Sequence, residues 1–212
     1  HLLEDPKGDT MATANAQGVG TPATAFTGNS QSESTDLLWL DVGETDDALT
    51  FTLGVSSLTG DFTGSTWRAH LGWGDKQYVV EMDHYVGIGG NFDGAFLVVQ
   101  EGQKWNYVAD FPLKADVGNG VVSTSVPKVF LLDSQLHMPL QGDALKDVYV
   151  DAERTLNLNT GLTVGGLSVV DRMPDSGVGP VITIQKGDVA AGVLRLDAPL
   201  RVRVSNGGAT TF

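Results

Sequence analysis

The chain has 212 residues, 41% hydrophobic and 18% charged, with 27 glycines and a formal net charge of −13. That length holds one domain, or one domain and a fragment, with enough apolar surface for a core that needs no staples. The acidity excludes nucleic acid as the expected partner, the lack of cysteine excludes disulfides and thiolate chemistry, and no apolar run reaches the roughly 20 residues of a helical membrane span.

The opening, HLLEDPKGD, is polar and carries an acidic turn, EDPKGD at 4–9, in place of a secretory leader. An exported protein would therefore be met here in its mature form or as an excised piece. Residues 8–35 are Gly, Ala, Ser, Thr, Asn and Gln with few large apolar groups, and keep neither a period of 2 nor one of 3.6. They predict a long loop or a loosely attached strand-like segment.

From residue 36 the pattern becomes that of strands. DLLWLDV (36–42) and ALTFTLGV (48–55) form a hairpin across GETDD, with Leu49, Phe51, Leu53 and Val55 on one face. TWRAHLGW (66–73) places Trp67, Ala69, Leu71 and Trp73 on one face and Arg68, His70 and Gly72 on the other. The pair Gly74–Asp75 is a two-residue hairpin turn, and KQYVVEMD returns with Tyr78, Val80 and Met82 in register. AFLVVQ (95–100) and WNYVADF (105–111) make a third hairpin around EGQK. GIGGNFDG (87–94) is read as a surface loop, since it follows no parallel strand and opens no helix.

Strands continue in GVVSTSVP (120–127), DVYVDAE (147–153) and PVITIQKG (180–187), and KVFLLDSQL (128–136) could hold a helical turn. About nine strands with turn signals every 8–12 residues predict an all-β fold, an antiparallel two-sheet sandwich of jelly-roll or immunoglobulin-like kind. Residues 186–212 hold four basic and two acidic residues, a net +2 that leaves −15 on the rest. That shift, with the alternating VLRLDAPLRVRV, points to an extra C-terminal strand or the start of a second β domain. The expected organisation is an N-terminal acidic turn and loop at 1–35, a sandwich at 36–185 and a C-terminal segment at 186–212.

The runs DPKGD, DLLWLDVGETDDALTFTLGV, GVVSTSVPKVFL and DRMPDSGVGP resemble β-sandwich accessory domains of large secreted archaeal and bacterial proteins, often appended to subtilisin-like proteases or surface proteins. In broad outline they look like the sandwich of DOMON domains and family 9 carbohydrate-binding modules, over roughly residues 4–185. The resemblance implies a non-catalytic extracellular or cell-surface module and does not imply a particular ligand. Where DOMON-type domains hold haem they need an axial Met or His; Met82 and His84 are the positions available, without a haem-attachment motif.

Candidate site residues are few. Asp5, Asp9, Asp171 and Asp175 lie in the turns EDPKGD and DRMPDSG, hard oxygen donors beside glycines, as calcium requires. Aspartate is equally a residue that turns favour, and neither stretch has EF-hand spacing. An exposed row of tryptophans would suit a glycan, but Trp67 and Trp73 share the face of Leu71 and read as core, while the parity of Trp39 and Trp105 is open. His70, His84 and His137 lack ligand spacing, and no nucleophile motif appears. Two readings follow. One is a non-catalytic binding or spacer module in a secreted or surface protein, calcium-stabilised, with other domains or a glycan as partners. The other is a self-associating subunit of a surface layer or filament, joined to neighbouring copies by strand addition at 8–35 or 193–204.

Overall fold

A computed structural model of the chain describes residues 1–8, 10–15, 24–25, 33–59, 62–87, 90–131, 138–159, 164–174 and 179–186. They form a β-sandwich with one 3₁₀ turn at Lys128–Phe130. The strands are β1 (Leu3–Glu4), β2 (Met11–Asn15), β3 (Thr24–Ala25), β4 (Leu37–Glu44), β5 (Ala48–Val55), β6 (Ser65–Trp73) and β7 (Lys76–Gly87). They continue with β8 (Gly90–Glu101), β9 (Lys104–Phe111), β10 (Lys114–Asp116), β11 (Val121–Pro127), β12 (Ala144–Asn159), β13 (Val164–Met173) and β14 (Ile182–Thr183). The small sheet runs β1-β4-β5-β11-β10 and the large one β3-β2-β13-β12-β6-β7-β8-β9, with β14 on β12. All pairings are antiparallel.

The period-2 alternation fixes which face is which. Leu49, Phe51 and Leu53 of β5 are fully buried against Trp67, Ala69 and Leu71 of β6 and Val80 and Met82 of β7 in one core between the sheets. Burying large aliphatic and aromatic side chains at about 25 cal/mol per Å² of apolar surface is the main stabilising term of such a sandwich. The hairpin turns follow the chemistry of their glycines. Gly74 (φ +61°) opens the β6–β7 turn and Gly102 (φ +63°) the β8–β9 turn, the first turn position in each, where φ > 0 is needed.

Several elements differ from the sequence reading. The stretch 8–35 contributes β2 and β3, and β2 pairs with β13 of its own sheet. The strand β13 was not anticipated: Gly165 and Gly166 interrupt the apolar run before it declares a period, and pairing with β12 supplies the order that local propensity does not. β12 runs through 144–159, well beyond 147–153, because β6 flanks it on one side and β13 on the other. PVITIQKG yields only the two-residue β14. Gly87 and residues 90–94, expected in a loop, are strand residues of the β7–β8 hairpin. The expected strand at 193–204 lies outside the described residues.

Candidate functional site

Because side chains alternate across a strand, the buried set above dictates an opposite, outward set on the large sheet. The register aligns it in rows. One row reads Arg172, Asp151, Arg68, Glu81, Phe96, Asp110 from β13 to β9. The next reads Tyr149, His70, Val79, Val98, Tyr107, and the one beyond it Gly72, Gln77, Gln100, Trp105. On the other side of the first lie Glu153, Thr66 and Asp83.

Two bulges shape this face. In β12 two residues, Asp147 and Val148, face one residue of β6, and Asp147 takes φ +51°. The extra residue keeps both Leu145 and Val148 in the core and still delivers Tyr149 opposite His70. In β9 Val108 has no partner on β8, so Val108 and Ala109 both turn inward between outward Tyr107 and Asp110.

The centre of the face is an ion-pair network. Arg68 donates from Nε to Glu81 Oε2 (2.7 Å) and from Nη1 to Asp151 Oδ1 (3.0 Å) and Glu153 Oε2 (3.4 Å). Asp151 Oδ2 is 2.5 Å from His70 Nε2. The His70 ring stacks on Tyr149 at 4.1 Å and 8°, and the Arg172 guanidinium lies 4.4 Å from the Tyr149 ring centre, brought from the strand on the other side. Tyr149 is thus held by a neighbour from each flanking strand, a rigid arrangement in which few rotamers remain.

Burial and charge compete at each titratable group. Burial alone would raise the Asp151 carboxyl, but hydrogen bonds and charge from His70 and Arg68 hold it below the usual carboxylate range. Burial pushes Glu81 up, and Arg68 only partly offsets it. Burial also raises Asp83, against a 2.7 Å hydrogen bond from Thr66. Burial would lower Arg68, yet Glu81 and Asp151 raise it further from deprotonation. Tyr149 is raised by burial and by the nearby Asp151 charge. Asp151 and Glu81 share one guanidinium and shift oppositely because Asp151 has a second donor, His70.

The acidic turns have a different geometry. Asp5 N–H donates to Leu38 O (2.9 Å), Gly8 N–H donates to Asp36 Oδ1 (2.9 Å), and Leu37 N–H donates to Asp171 Oδ2 (2.7 Å). Asp171 Oδ1 also accepts the Arg172 N–H at 2.8 Å, and Asp171 is buried. Asp5 and Gly8 of the first turn and Asp171 at the head of the second stretch therefore meet the start of β4, and Asp171 ties the end of β13 to the opposite sheet. Asp9, Asp175 and His137 lie outside the described residues, and among the described residues no group of three His, Asp or Glu side chains is set to hold a metal ion.

The remaining candidates fall as follows. Trp67 and Trp73 are core; Trp67 Nε1 also donates to Ser34 O at 2.7 Å. Trp39 lies on the outer face of the small sheet against Gly54, stacked on His1 at 4.4 Å. Trp105 is 51% exposed. Met82 is in the core, and His84 packs on Phe62 with its Nδ1 at Asp93. At the far end of the sandwich a cavity of about 380 Å³ lined by Leu2, Val42, Val181 and Ile182 borders Glu44. Glu44 is already taken up by the fully buried Lys128 (2.7 Å) and by the Gln185 and Lys186 N–H groups, so that it closes the sandwich end. Burial would raise its carboxyl, but those donors hold it low.

The chain matches no protein-family profile, and no curated protein or solved structure matches it significantly. The likeness to accessory sandwich domains stands on the sequence pattern alone.

Proposed function

We propose that the chain is a non-catalytic β-sandwich module of a secreted or surface protein, and that it binds through the outer face of its large sheet. The observation that carries this reading is the pre-ordered face itself. An interlocked set from two adjacent rows, Arg68, Asp151 and Arg172 with His70 and Tyr149, fixes the centre, and a half-exposed tryptophan stands at the rim. Fixed polar groups beside an exposed aromatic lower the ordering cost that a ligand must overcome.

The alternative, a subunit that grows by strand addition, needs an open sheet edge. Among the described residues the edges are β1, β3 and β14 with two residues each, β10 with three, and β9 with eight. The last is interrupted by its bulge and carries Lys104 and Asp110 near its ends. Short, bulged and charged edges oppose pairing between molecules. Calcium enters the reading as a stabiliser where the turn at 4–8 and Asp171 meet β4. Sedimentation of the purified chain over a wide concentration range tests the proposal. A constant mass of one chain is expected, and concentration-dependent polymers would overturn it in favour of the assembling subunit.

A further inference from the structure

The rim of the outer face along β8 and β9 differs from its centre. The centre is ionic and its groups are paired with one another. At the rim, Trp105 is 51% exposed, and Tyr107 lies two residues along on the same outward row set. Successive outward residues of a strand are about 7 Å apart. Phe96 is 6.4 Å from Tyr107, ring centre to ring centre. The outward neighbours of Trp105 across the ladder are the amides Gln100 and Gln77, and the Gln77 side chain lies over Gly72, where a Cβ would meet it at 2.9 Å. The Trp105 indole N–H has no partner among the described residues.

Trp105 offers an exposed π-face with the half-buried rings of Tyr107 and Phe96 beside it, and such an aromatic strip next to uncharged amides matches one ligand chemistry in particular. A pyranose ring offers an apolar C–H face to an aromatic ring and a rim of hydroxyls to amide donors and acceptors. Each alone is weak, and together they fix orientation. Charge selects within that class. The chain carries −13 overall, while beside the patch Glu101 is paired with Lys76 at 2.7 Å and exposed Asp110 and Lys104 offset each other, so the selecting charge is that of the whole chain. An acidic polysaccharide would be repelled, whereas a neutral one meets no such penalty.

We propose that Trp105, Tyr107 and Phe96, with the amides of Gln100 and Gln77, form a subsite for a neutral glycan at the β8–β9 rim. The inference rests on the binding-module reading and supplies its ligand class. Affinity electrophoresis through gels containing dextran, galactomannan, hydroxyethylcellulose or alginate tests it, with the full chain, Trp105→Ala, Trp105→Tyr and a remote Leu140→Ala control. The expected result is retardation by at least one neutral polymer and none by alginate. Trp105→Ala should weaken it at least about tenfold, as for a buried aromatic anchor. Trp105→Tyr should retain part of it and Leu140→Ala all of it, with melting temperatures unchanged.

Wild-type protein that passes every neutral gel unretarded, stronger retardation by alginate, or equal retardation of Trp105→Ala would each overturn the subsite. The last two outcomes leave the module reading standing with another ligand or another patch. That reading falls separately, on polymeric assembly in sedimentation.

Discussion

Replacing Arg68 by methionine keeps an aliphatic stem on the sheet and removes the guanidinium that contacts Glu81, Asp151 and Glu153. Each contact of unit charges near 4 Å is worth about 4 kcal/mol gross at an effective dielectric of about 20. Most of that is offset by the desolvation of Arg68 itself, which the substitution relieves. The Glu81 and Asp151 side chains are 22% and 27% exposed, so water screens part of the remainder. The net cost should be about 1–3 kcal/mol at neutral pH, between an exposed pair and a fully buried one. For a chain of this size that lowers Tm by about 2–4 °C per kcal/mol.

Asp151 sits below the usual carboxylate range, so its contribution is present at neutral pH and is lost as pH falls through its folded-state value. Glu81 sits above that range, so the folded protein holds its proton more tightly than the unfolded chain, and acidification stabilises the fold through it. Without Arg68 both carboxylates move upward, Asp151 less far because His70 still holds it down, so the variant takes up protons at a higher pH than the wild type. The cost of Arg68→Met should therefore shrink between about pH 7 and about pH 5. Urea unfolding followed by tryptophan fluorescence at both pH values reads it. A cost below about 0.5 kcal/mol, or one independent of pH, would refute the reasoning.

Leu71→Ala, at a fully buried position between the sheets, should cost about 2–5 kcal/mol in the same assay through lost transfer energy and a cavity. Asp171→Ala should cost about 1–3 kcal/mol, because the buried Leu37 N–H loses its acceptor. Thermal melts of that variant should show the loss at neutral pH, and an unchanged Tm would mean water replaces the carboxylate. Lys128→Met leaves Glu44 without its buried cation and should raise the Glu44 carboxyl, which NMR titration would follow. Calcium shared by Asp5, Asp9, Asp171 and Asp175 predicts that chelator lowers Tm and that a hundredfold excess over Kd adds about 2.7 kcal/mol; identical melts with chelator and with calcium would remove it.

The fold was legible where period-2 alternation was clean. In β5, β6 and β7 each inward residue named from the sequence is buried, because one face of a strand must meet the other sheet. The outward parity of Arg68 and His70 was legible for the same reason. Their partners were not: Asp151 lies 81 to 83 residues away and is brought alongside only by the β6–β12 pairing. The bulge that sets Tyr149 against His70 leaves no local signal beyond an aspartate that tolerates φ > 0. The acidic turns drew attention by composition, whereas Asp171 is placed by two backbone N–H groups, a relation between sheets that no window of sequence contains.

Oxidative footprinting of the four tryptophans, with and without a neutral polymer that retards the protein, tests the binding face most directly. Trp67 and Trp73 are buried and serve as silent references, Trp39 reports the outer face of the small sheet, and Trp105 that of the large sheet. Protection of Trp105 alone is expected. Protection of Trp39 with Trp105 still reactive would place the ligand on the opposite sheet and contradict this.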